Sequence, residues 1–583
     1  MNIIGYLHGR DPSACLVMNG VIAGFVEEER LIRQKHAAGI FPIRSIEACL
    51  SLGKISISDV DCFAYGYDAP RFSNGEMAQF YERVNRIYSP DSTTLAWQRG
   101  NLQAHSTETM RLRLRYELLR YFGVRHEFPL HFYPHHRSHV AATFYLAPFS
   151  DALVLILDGS GEHQCTTIWH GSGGDLQLLH EINIPHSLGW FYSAATEYLG
   201  FEAYDGEYKV MGLAAYGRPN IILRERIARI LGVGPEGFDY VLDHKHIHNG
   251  PHSYSGRFTD YFVNLMGFPP RAHRDSITSW HEDFAYEVQL ALENAVLRLV
   301  RHFHKVTGAK NLCIGGGVGQ NVKMNGRILA EGLFDQIFLF PIPSDSGTSI
   351  GAALGVFQRE TGGLPAEPLG NVYWGPSFED DEIETELRSC GICYDKVSDI
   401  ENRVAALLDE GRIVGWFQGR MEGGPRALGA RSILADPRNI RSRDLVNQAI
   451  KYREYWRPFC PSLAYDSVSR FVKNSYESPF MIMAFEATEE AVRRIPAVVH
   501  VDRTMRIQTV DPVSNARFYR LLKAFEARTG VGVLLNTSFN IKGEPIVCSP
   551  RDALRTFWST GLDALAIGSF LLLKPQERRA EKS

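Results

Sequence analysis

Ala152-Leu153-Val154-Leu155-Ile156-Leu157-Asp158-Gly159-Ser160-Gly161 is an apolar run that ends abruptly in a carboxylate and a glycine-rich turn. A short continuous apolar run closed by glycine reads as a buried strand. Cys165-Thr166-Thr167-Ile168-Trp169, the turn Gly171-Ser172-Gly173-Gly174 and Leu176-Gln177-Leu178-Leu179 follow it, and the pattern predicts a hairpin. The amino terminus has the same plan. Ile3-Ile4-Gly5-Tyr6 precedes Ser13-Ala14-Cys15-Leu16-Val17-Met18, an Asn19-Gly20 turn and Val21-Ile22-Ala23-Gly24-Phe25-Val26, before Glu27-Glu28-Glu29-Arg30. Asn-Gly between two apolar runs is the strongest short-range hairpin signal.

Two strand–loop–hairpin units in one chain are similar in pattern to the internally duplicated nucleotide-binding folds of the actin and hexokinase (ASKHA) type, so the expected class is α/β. Residues 75–125 read as amphipathic helix, 240–275 as an insertion rich in His, Gly, Pro and Arg, and 278–308 as one long helix. After that helix, Leu312-Cys313-Ile314-Gly315-Gly316-Gly317-Val318-Gly319-Gln320-Asn321 is a strand opening into a glycine-rich turn and a helix. Backbone donors at Gly159, Gly315, Gly316 and Gly317, with Asn321 at the helix start, are the candidate nucleotide contacts. His244, His246 and His248 alternate as they would on one face of a strand, and a polar surface hairpin is the expectation there rather than a metal site. Thr361-Gly362-Gly363-Leu364-Pro365-Ala366-Glu367-Pro368-Leu369-Gly370 has linker composition, so the domains are drawn as 1–365 and 366–583, with a disordered charged tail over 576–583.

A chain of 583 residues exceeds one hydrophobic core, and 45% apolar residues suffice for two. With 22% charged residues and a net charge of −4, neither a nucleic-acid-coating nor a membrane-binding protein is expected. No basic leader opens the chain, so a soluble cytoplasmic protein is the reading. Nine scattered cysteines fit reduced thiols, and Cys390-Gly391-Ile392-Cys393 is a lone pair without the context of a redox or zinc motif. A homodimer is the default for an enzyme of this size.

Basic residues concentrate past the linker. Gly419-Arg420-Met421-Glu422-Gly423-Gly424-Pro425-Arg426-Ala427-Leu428-Gly429-Ala430-Arg431 places three arginines among glycines that let a backbone approach a ligand. Lys451-Tyr452-Arg453-Glu454-Tyr455-Trp456-Arg457-Pro458-Phe459 and Arg506 continue the theme, and the composition is that of a phosphate grip. Upstream, His135 and His139 in Pro134-His135-His136-Arg137-Ser138-His139 stand one helical turn apart, so both imidazoles face one way while His136 points elsewhere. Asp158 and Asp345 each follow an apolar run. Two histidines with two aspartates suit iron, manganese or zinc.

Read together, Phe417-Gln418-Gly419-Arg420-Met421-Glu422-Gly423-Gly424-Pro425-Arg426-Ala427-Leu428-Gly429, Arg457-Pro458-Phe459, His500-Val501-Asp502, Leu535-Asn536-Thr537-Ser538-Phe539-Asn540-Ile541-Lys542-Gly543-Glu544-Pro545-Ile546 and, earlier, Gly206-Glu207-Tyr208-Lys209-Val210-Met211-Gly212-Leu213 resemble the NodU/CmcH O-carbamoyltransferases, the natural-product tailoring type that includes the aminoglycoside enzymes. The resemblance implies an ASKHA-type transfer domain followed by a YrdC-like domain. The latter would take carbamoyl phosphate and ATP, with Mg2+, to carbamoyl adenylate, and the former would pass the carbamoyl group to a hydroxyl of a small molecule through a shared cavity. It implies phosphate contacts from Lys451, Arg457 and Arg506 with Arg426, Ser538 and Asn540 as helpers, and a metal, Fe2+ by family precedent, on His135, His139, Asp158 and Asp345. Lys35 and His36 match positions near the acceptor.

Two departures stand out. The family's His-Asp-x-Ser-Ala reads Arg10-Asp11-Pro12-Ser13-Ala14 here, and arginine is no base at neutral pH. His8 is expected to substitute, the alternatives being Asp11 or a metal-bound acceptor that needs no dedicated base. Arg503 stands where the family has glycine. The competing readings are a threonylcarbamoyl-type tRNA-modifying enzyme, against which the acidic balance argues, and an ASKHA ATPase or sugar-kinase-like protein that would release ADP.

Overall fold

Asn19 and Gly20 both take left-handed backbone, φ 49° and 82°, the conformation of a two-residue turn whose twist matches its strands. They join Ser13–Met18 to Val21–Glu27 in an antiparallel pair. Gly173 and Gly174, φ 58° and 99°, do the same for Gln164–Ser172 and Asp175–Asn183. Each hairpin lies against a first strand, Asn2–Leu7 or Asp151–Leu157. On its other side each first strand pairs in parallel with a later one, Cys62–Tyr65 or Asn311–Gly315, and beyond these lie Leu130–Phe132 and Gln336–Leu339, also parallel. The two five-stranded sheets therefore share one strand order and one set of directions, which is the duplicated ASKHA-type α/β fold anticipated from the hairpin pattern.

The computed structural model describes residues 1–248, 256–365, 367–474 and 476–575. It divides into two compact units, Met1–Glu28 with Ala38–Leu369, and Glu29–Ala37 with Gly370–Ser583. In the first, the last strand of each sheet is followed by an equivalent helix, His135–Phe144 or Thr348–Thr361, and the two helices cross. They approach so closely that a Cβ at Gly351 would lie 1.8 Å from the Ser138 carbonyl oxygen, while on the first strand one at Gly5 would lie 1.9 Å from that of Ser349. Ser279–Thr307 is the predicted long helix, and the 75–125 region is three helices, Glu76–Tyr88, Ser92–Ala104 and Thr107–Phe122.

His244 and His246 occupy a turn rather than the predicted strand face, because the Asp243 carboxylate accepts the Lys245 N–H (3.2 Å) and its carbonyl accepts the His246 N–H (3.2 Å). The expected disordered tail, 576–583, and residues 249–255 lie outside the described residues.

The second unit is built on an eight-stranded mixed sheet. Trp416, wholly buried on Val414–Phe417, packs with Leu521, Leu522 and Phe525 of the helix Ala516–Thr529 and with Val404 and Leu408 of Ile400–Asp409. The strap Glu29–Ala37 belongs to this unit: Arg30 donates to the Gly424 carbonyl (2.7 Å), and Arg33 to those of Ile546 (2.6 Å) and Pro545 (2.8 Å).

Gly351→Ala is expected to destabilise the first unit by about 2–3 kcal/mol, because the backbone it would strike cannot step aside. Gly100→Ala, in a helix interior with nothing within 4 Å of the new methyl, is expected to stabilise by about 0.5–1 kcal/mol. Chemical denaturation of the two variants measures both shifts.

Candidate metal centre and anion site

Helix His135–Phe144 starts where the first sheet ends, which turns His135 and His139 from successive turns toward the end of Asp151–Leu157. There the His135 Nε2 lies 3.2 Å from the His139 Nε2, 3.3 Å from Asp158 Oδ2 and 3.7 Å from Asp345 Oδ1. One donor atom from each of the four falls within 4.8 Å of every other. His136 turns away, its Nδ1 3.0 Å from Thr167 Oγ1.

Asp158 is fixed by the Gly317 N–H, which donates to Oδ1 at 2.9 Å and leaves Oδ2 for the histidines. The backbone N–H of His135 donates to Glu162 Oε1 at 3.0 Å. Burial opposes the charged form of His135, but the Asp158 hydrogen bond and the charges of Asp345 and Asp158 outweigh it and lift the imidazole to about 9. Burial and then the His135 charge push His139 down to about 3, so it keeps a free lone pair. Burial and the Asp158 charge raise Asp345 to about 7. The set fits a divalent ion: ligand bonds of about 2.1 Å place neighbouring donors about 3.0–3.4 Å apart. A dication in the centre would also hold both carboxylates ionised and take the place of the proton that His135 otherwise keeps beside the Asp158 carboxylate. Three of the four ligands are buried, whereas the Asp345 side chain is 29% exposed, so the open face is on its side.

The glycines divide by purpose. A Cβ at Gly316 (φ 83°) would lie 2.3 Å from the Leu157 carbonyl oxygen, and one at Gly315 2.4 Å from Thr143 Oγ1. Those two positions are demanded by packing. A Cβ at Gly159 would only touch Trp190 Nε1 at 3.7 Å and Tyr204 Oη at 4.0 Å, an ordinary contact, so packing does not demand glycine there. Asn321 caps its helix through the Met324 N–H (3.0 Å) and exchanges hydrogen bonds with Gln289 at 2.9 and 3.0 Å, a bracing role that its place before a helix did not reveal.

Of the predicted catalytic trio, Lys35 is on the strap of the second unit, while His8 and Asp11 belong to the first. His8 Nε2 is 3.2 Å from the Gly39 carbonyl, and Arg113 Nη1 sits 2.9 and 3.0 Å from its two ring nitrogens, over the ring rather than along one lone pair. Burial and the Arg113 charge push His8 down to about 4. Asp11 is close enough for its charge to raise Asp345.

In the second unit, Lys451 is 1% exposed, and its ammonium donates to the carbonyls of Ser538 and Asn540 and to Asn540 Oδ1, the latter two at 2.9 and 2.8 Å, with Ser538 Oγ at 3.3 Å. Burial, then Arg453 and Arg457, depress it well below the ordinary lysine range. Parallel pairing of Cys460–Ala464 with Gln508–Val510 puts Arg506 beside Cys460, its Nε 2.9 Å from Sγ, and antiparallel pairing puts Cys460 opposite Asn536 on the strand ending at Ser538. Lys451, Arg506, Ser538 and Asn540 thus share one end of the sheet. Arg420 and Arg431 do something other than the predicted grip. Arg431, fully buried, donates to the carbonyls of Gln418, Gly419 and Pro376, and Arg420 to those of Trp374 and Gly375. Both brace the loop that carries Arg426. Arg503 has the left-handed φ of 62° that suits glycine, and its exposed guanidinium pairs with Glu489.

Family models for the carbamoyltransferase N-terminus and C-terminus match residues 2–354 and 405–574. The chain belongs to the carbamoyltransferase family. It is 38% identical to the Synechocystis sp. protein named uncharacterized protein sll1178 over 100% of this chain and 98% of that one. It is 37% identical to nodulation protein NolNO of Sinorhizobium fredii, covering 97% and 79%. Among solved structures, the activator of the 2-hydroxyisocaproyl-CoA dehydratase from Clostridium difficile aligns over 62% of this carbamoyltransferase and 95% of its own length, at 11% identity and a TM-score of 0.32, a likeness on which nothing is built. Among the described residues no helix is long and apolar enough to cross a membrane.

Asp158→Asn is expected to weaken metal binding at least about 10-fold, read as retained iron, manganese or zinc after gel filtration. His136→Gln should leave metal content unchanged. Arg503→Gly should raise stability by about 1 kcal/mol through relief of left-handed backbone.

Proposed function

We propose that this carbamoyltransferase makes carbamoyl adenylate and passes the carbamoyl group to a hydroxyl of a small molecule. The observation that supports this most is Lys451. A buried ammonium whose oxygen partners are all neutral, with the Arg453 and Arg457 guanidiniums adding like charge, is costly as it stands and becomes favourable when an anion enters. Carbamoyl phosphate and the phosphates of ATP are such anions. The chemistry balances in three steps. Water cleaves carbamoyl phosphate to carbamate and inorganic phosphate. A carbamate oxygen attacks the α-phosphorus of ATP and expels pyrophosphate. The acceptor hydroxyl then attacks the carbamoyl carbon, losing its proton, and AMP leaves.

Transfer is assigned to the first unit. Its His135, His139, Asp158 and Asp345 would hold a divalent ion, with ferrous iron favoured, that neutralises charge on the leaving phosphate when bound. The partly exposed Asp345 side chain leaves the centre an approach for the carbamoyl donor. Asp11, whose charge reaches Asp345, is the acceptor's base in this reading, because both His8 ring nitrogens already adjoin the Gly39 carbonyl or Arg113.

Incubation with ATP, Mg2+ and carbamoyl phosphate, without an acceptor, is expected to release phosphate and pyrophosphate and to yield carbamoyl adenylate by mass spectrometry. ADP as the nucleotide product, or replacement of carbamoyl phosphate by bicarbonate and threonine, would contradict the reading. Once an acceptor is found by screening, Asp11→Asn should lower kcat at least about 100-fold and His8→Ala far less.

A further inference from the structure

Residues 452–459, which carry Arg457, form neither helix nor strand. They follow a π-helical turn, Asn447–Lys451, and open at Tyr452 with a left-handed φ of 48°. Asn447 fixes the first part of the loop, donating to the Arg453 carbonyl and accepting from its N–H, both at 2.8 Å. Farther on, the Arg457 N–H donates to the Glu454 carbonyl at 3.2 Å, and its Nη1 lies 3.4 Å from Glu454 Oε2, contacts made inside the loop itself. A tether reaches this end from a different segment: His500 Nε2 lies 3.0 Å from the carbonyl of Trp456, the residue before Arg457.

A carbonyl oxygen can only accept, so Nε2 carries its hydrogen and is committed to Trp456. The other ring nitrogen, Nδ1, faces Asp502 Oδ1 at 3.5 Å, and the imidazole is 9% exposed. The same carboxylate oxygen accepts from the Thr504 N–H at 3.1 Å and from its Oγ1 at 2.7 Å. Main chain closes the turn around them: the Arg503 N–H donates to the His500 carbonyl, and the His500 N–H to that of Thr504, both at 2.9 Å. This is a three-residue hairpin loop whose last position is left-handed, and Arg503 takes it at φ 62°. His500 is therefore anchored by side chain and main chain before it reaches Trp456.

Both ends of the link run into the anion site. Past Arg457 the chain enters Cys460–Ala464, and past Thr504 it passes Arg506 and enters Gln508–Val510. The two strands are parallel neighbours, so the two arginines come to one end of the sheet from two separate loops. Arg506 Nε is 2.9 Å from Cys460 Sγ, and Arg457 is near enough for its charge to depress Lys451. Arg457 and the Lys451 ammonium repel until an anion lies between them, and a loop without regular structure yields to such a force. The bond from His500 resists that retreat.

We propose that His500 is a positioning residue that holds Arg457 in register with Arg506 for a shared phosphate-bearing anion. The turn fixes Arg506, and the imidazole carries that placement to Arg457 through the Trp456 carbonyl. His500 touches no substrate and moves no proton. That the anion is carbamoyl phosphate rests on the proposed function; the link itself rests on the geometry of the second unit.

The test is isothermal titration of the full-length protein with pyrophosphate, comparing His500→Asn, His500→Gln, Arg457→Ala and the double variant His500→Asn with Arg457→Ala. A glutamine amide reaches about as far from the backbone as Nε2, whereas asparagine keeps the Asp502 side of the turn and stops short of Trp456. His500→Asn should weaken pyrophosphate about 10-fold, and His500→Gln should restore most of the loss. Because His500 acts through Arg457, the double variant should bind little worse than Arg457→Ala alone. In the pyrophosphate-release assay, KM for carbamoyl phosphate should rise about 10-fold in His500→Asn with kcat changed far less. Binding by His500→Asn equal to the parent's, or losses from His500→Asn and Arg457→Ala that add in full, would make His500 a packing brace and overturn the proposal, whatever the change in thermal stability. Pyrophosphate binding needs no turnover, so a protein that binds it but forms no carbamoyl adenylate would refute the proposed function and leave these titrations to decide the role of His500.

Discussion

Close contact between two helix backbones governs the first unit. Gly351 lets Thr348–Thr361 rest on the carbonyl of Ser138, and Gly5 lets the first strand rest on that of Ser349. Because each helix follows the last strand of its own sheet, their crossing brings the start of His135–Phe144 to the Asp345 turn and to the end of the strand carrying Asp158. The four candidate ligands come from both halves of a duplicated fold, and their spacing is only as good as that crossing. A methyl group there would move His135 and His139 relative to Asp345 before it touched any ligand.

Where packing sets the first centre, unpaired charge sets the second. Lys451 sits among carbonyl, hydroxyl and amide oxygens with arginines close by. Neutral oxygens satisfy the ammonium's hydrogen bonds and leave its charge uncompensated, which makes the site responsive to an incoming anion. Arg431 shows the contrasting use of the same side chain: its carbonyl partners and the Phe417 ring, 3.7 Å from its guanidinium carbon, make it part of the scaffold.

Much of this could be read from the sequence, for identifiable reasons. Asn19-Gly20 and Gly173-Gly174 have local turn chemistry, so both hairpins and with them the duplication were visible. His135 and His139 share a helical face by spacing alone. Arg420 and Arg431 misled because glycine-rich context is the same whether an arginine binds a phosphate or a main-chain carbonyl. At Asn321 the sequence suggested a ligand contact, and a helix start equally suits the cap it makes to the Met324 N–H. The strap Glu29–Ala37 was hidden, since its arginines find their carbonyl partners near Gly424 and Ile546, hundreds of residues away in sequence.

The proposed mechanism divides its two half-reactions between the two units, and single-site variants separate them. Pyrophosphate release from ATP and carbamoyl phosphate, measured without acceptor, should survive in Asp158→Asn and vanish in Lys451→Met. Loss in Asp158→Asn, or persistence in Lys451→Met, would mean that adenylate formation does not reside at Lys451 and would contradict the assignment of the two half-reactions.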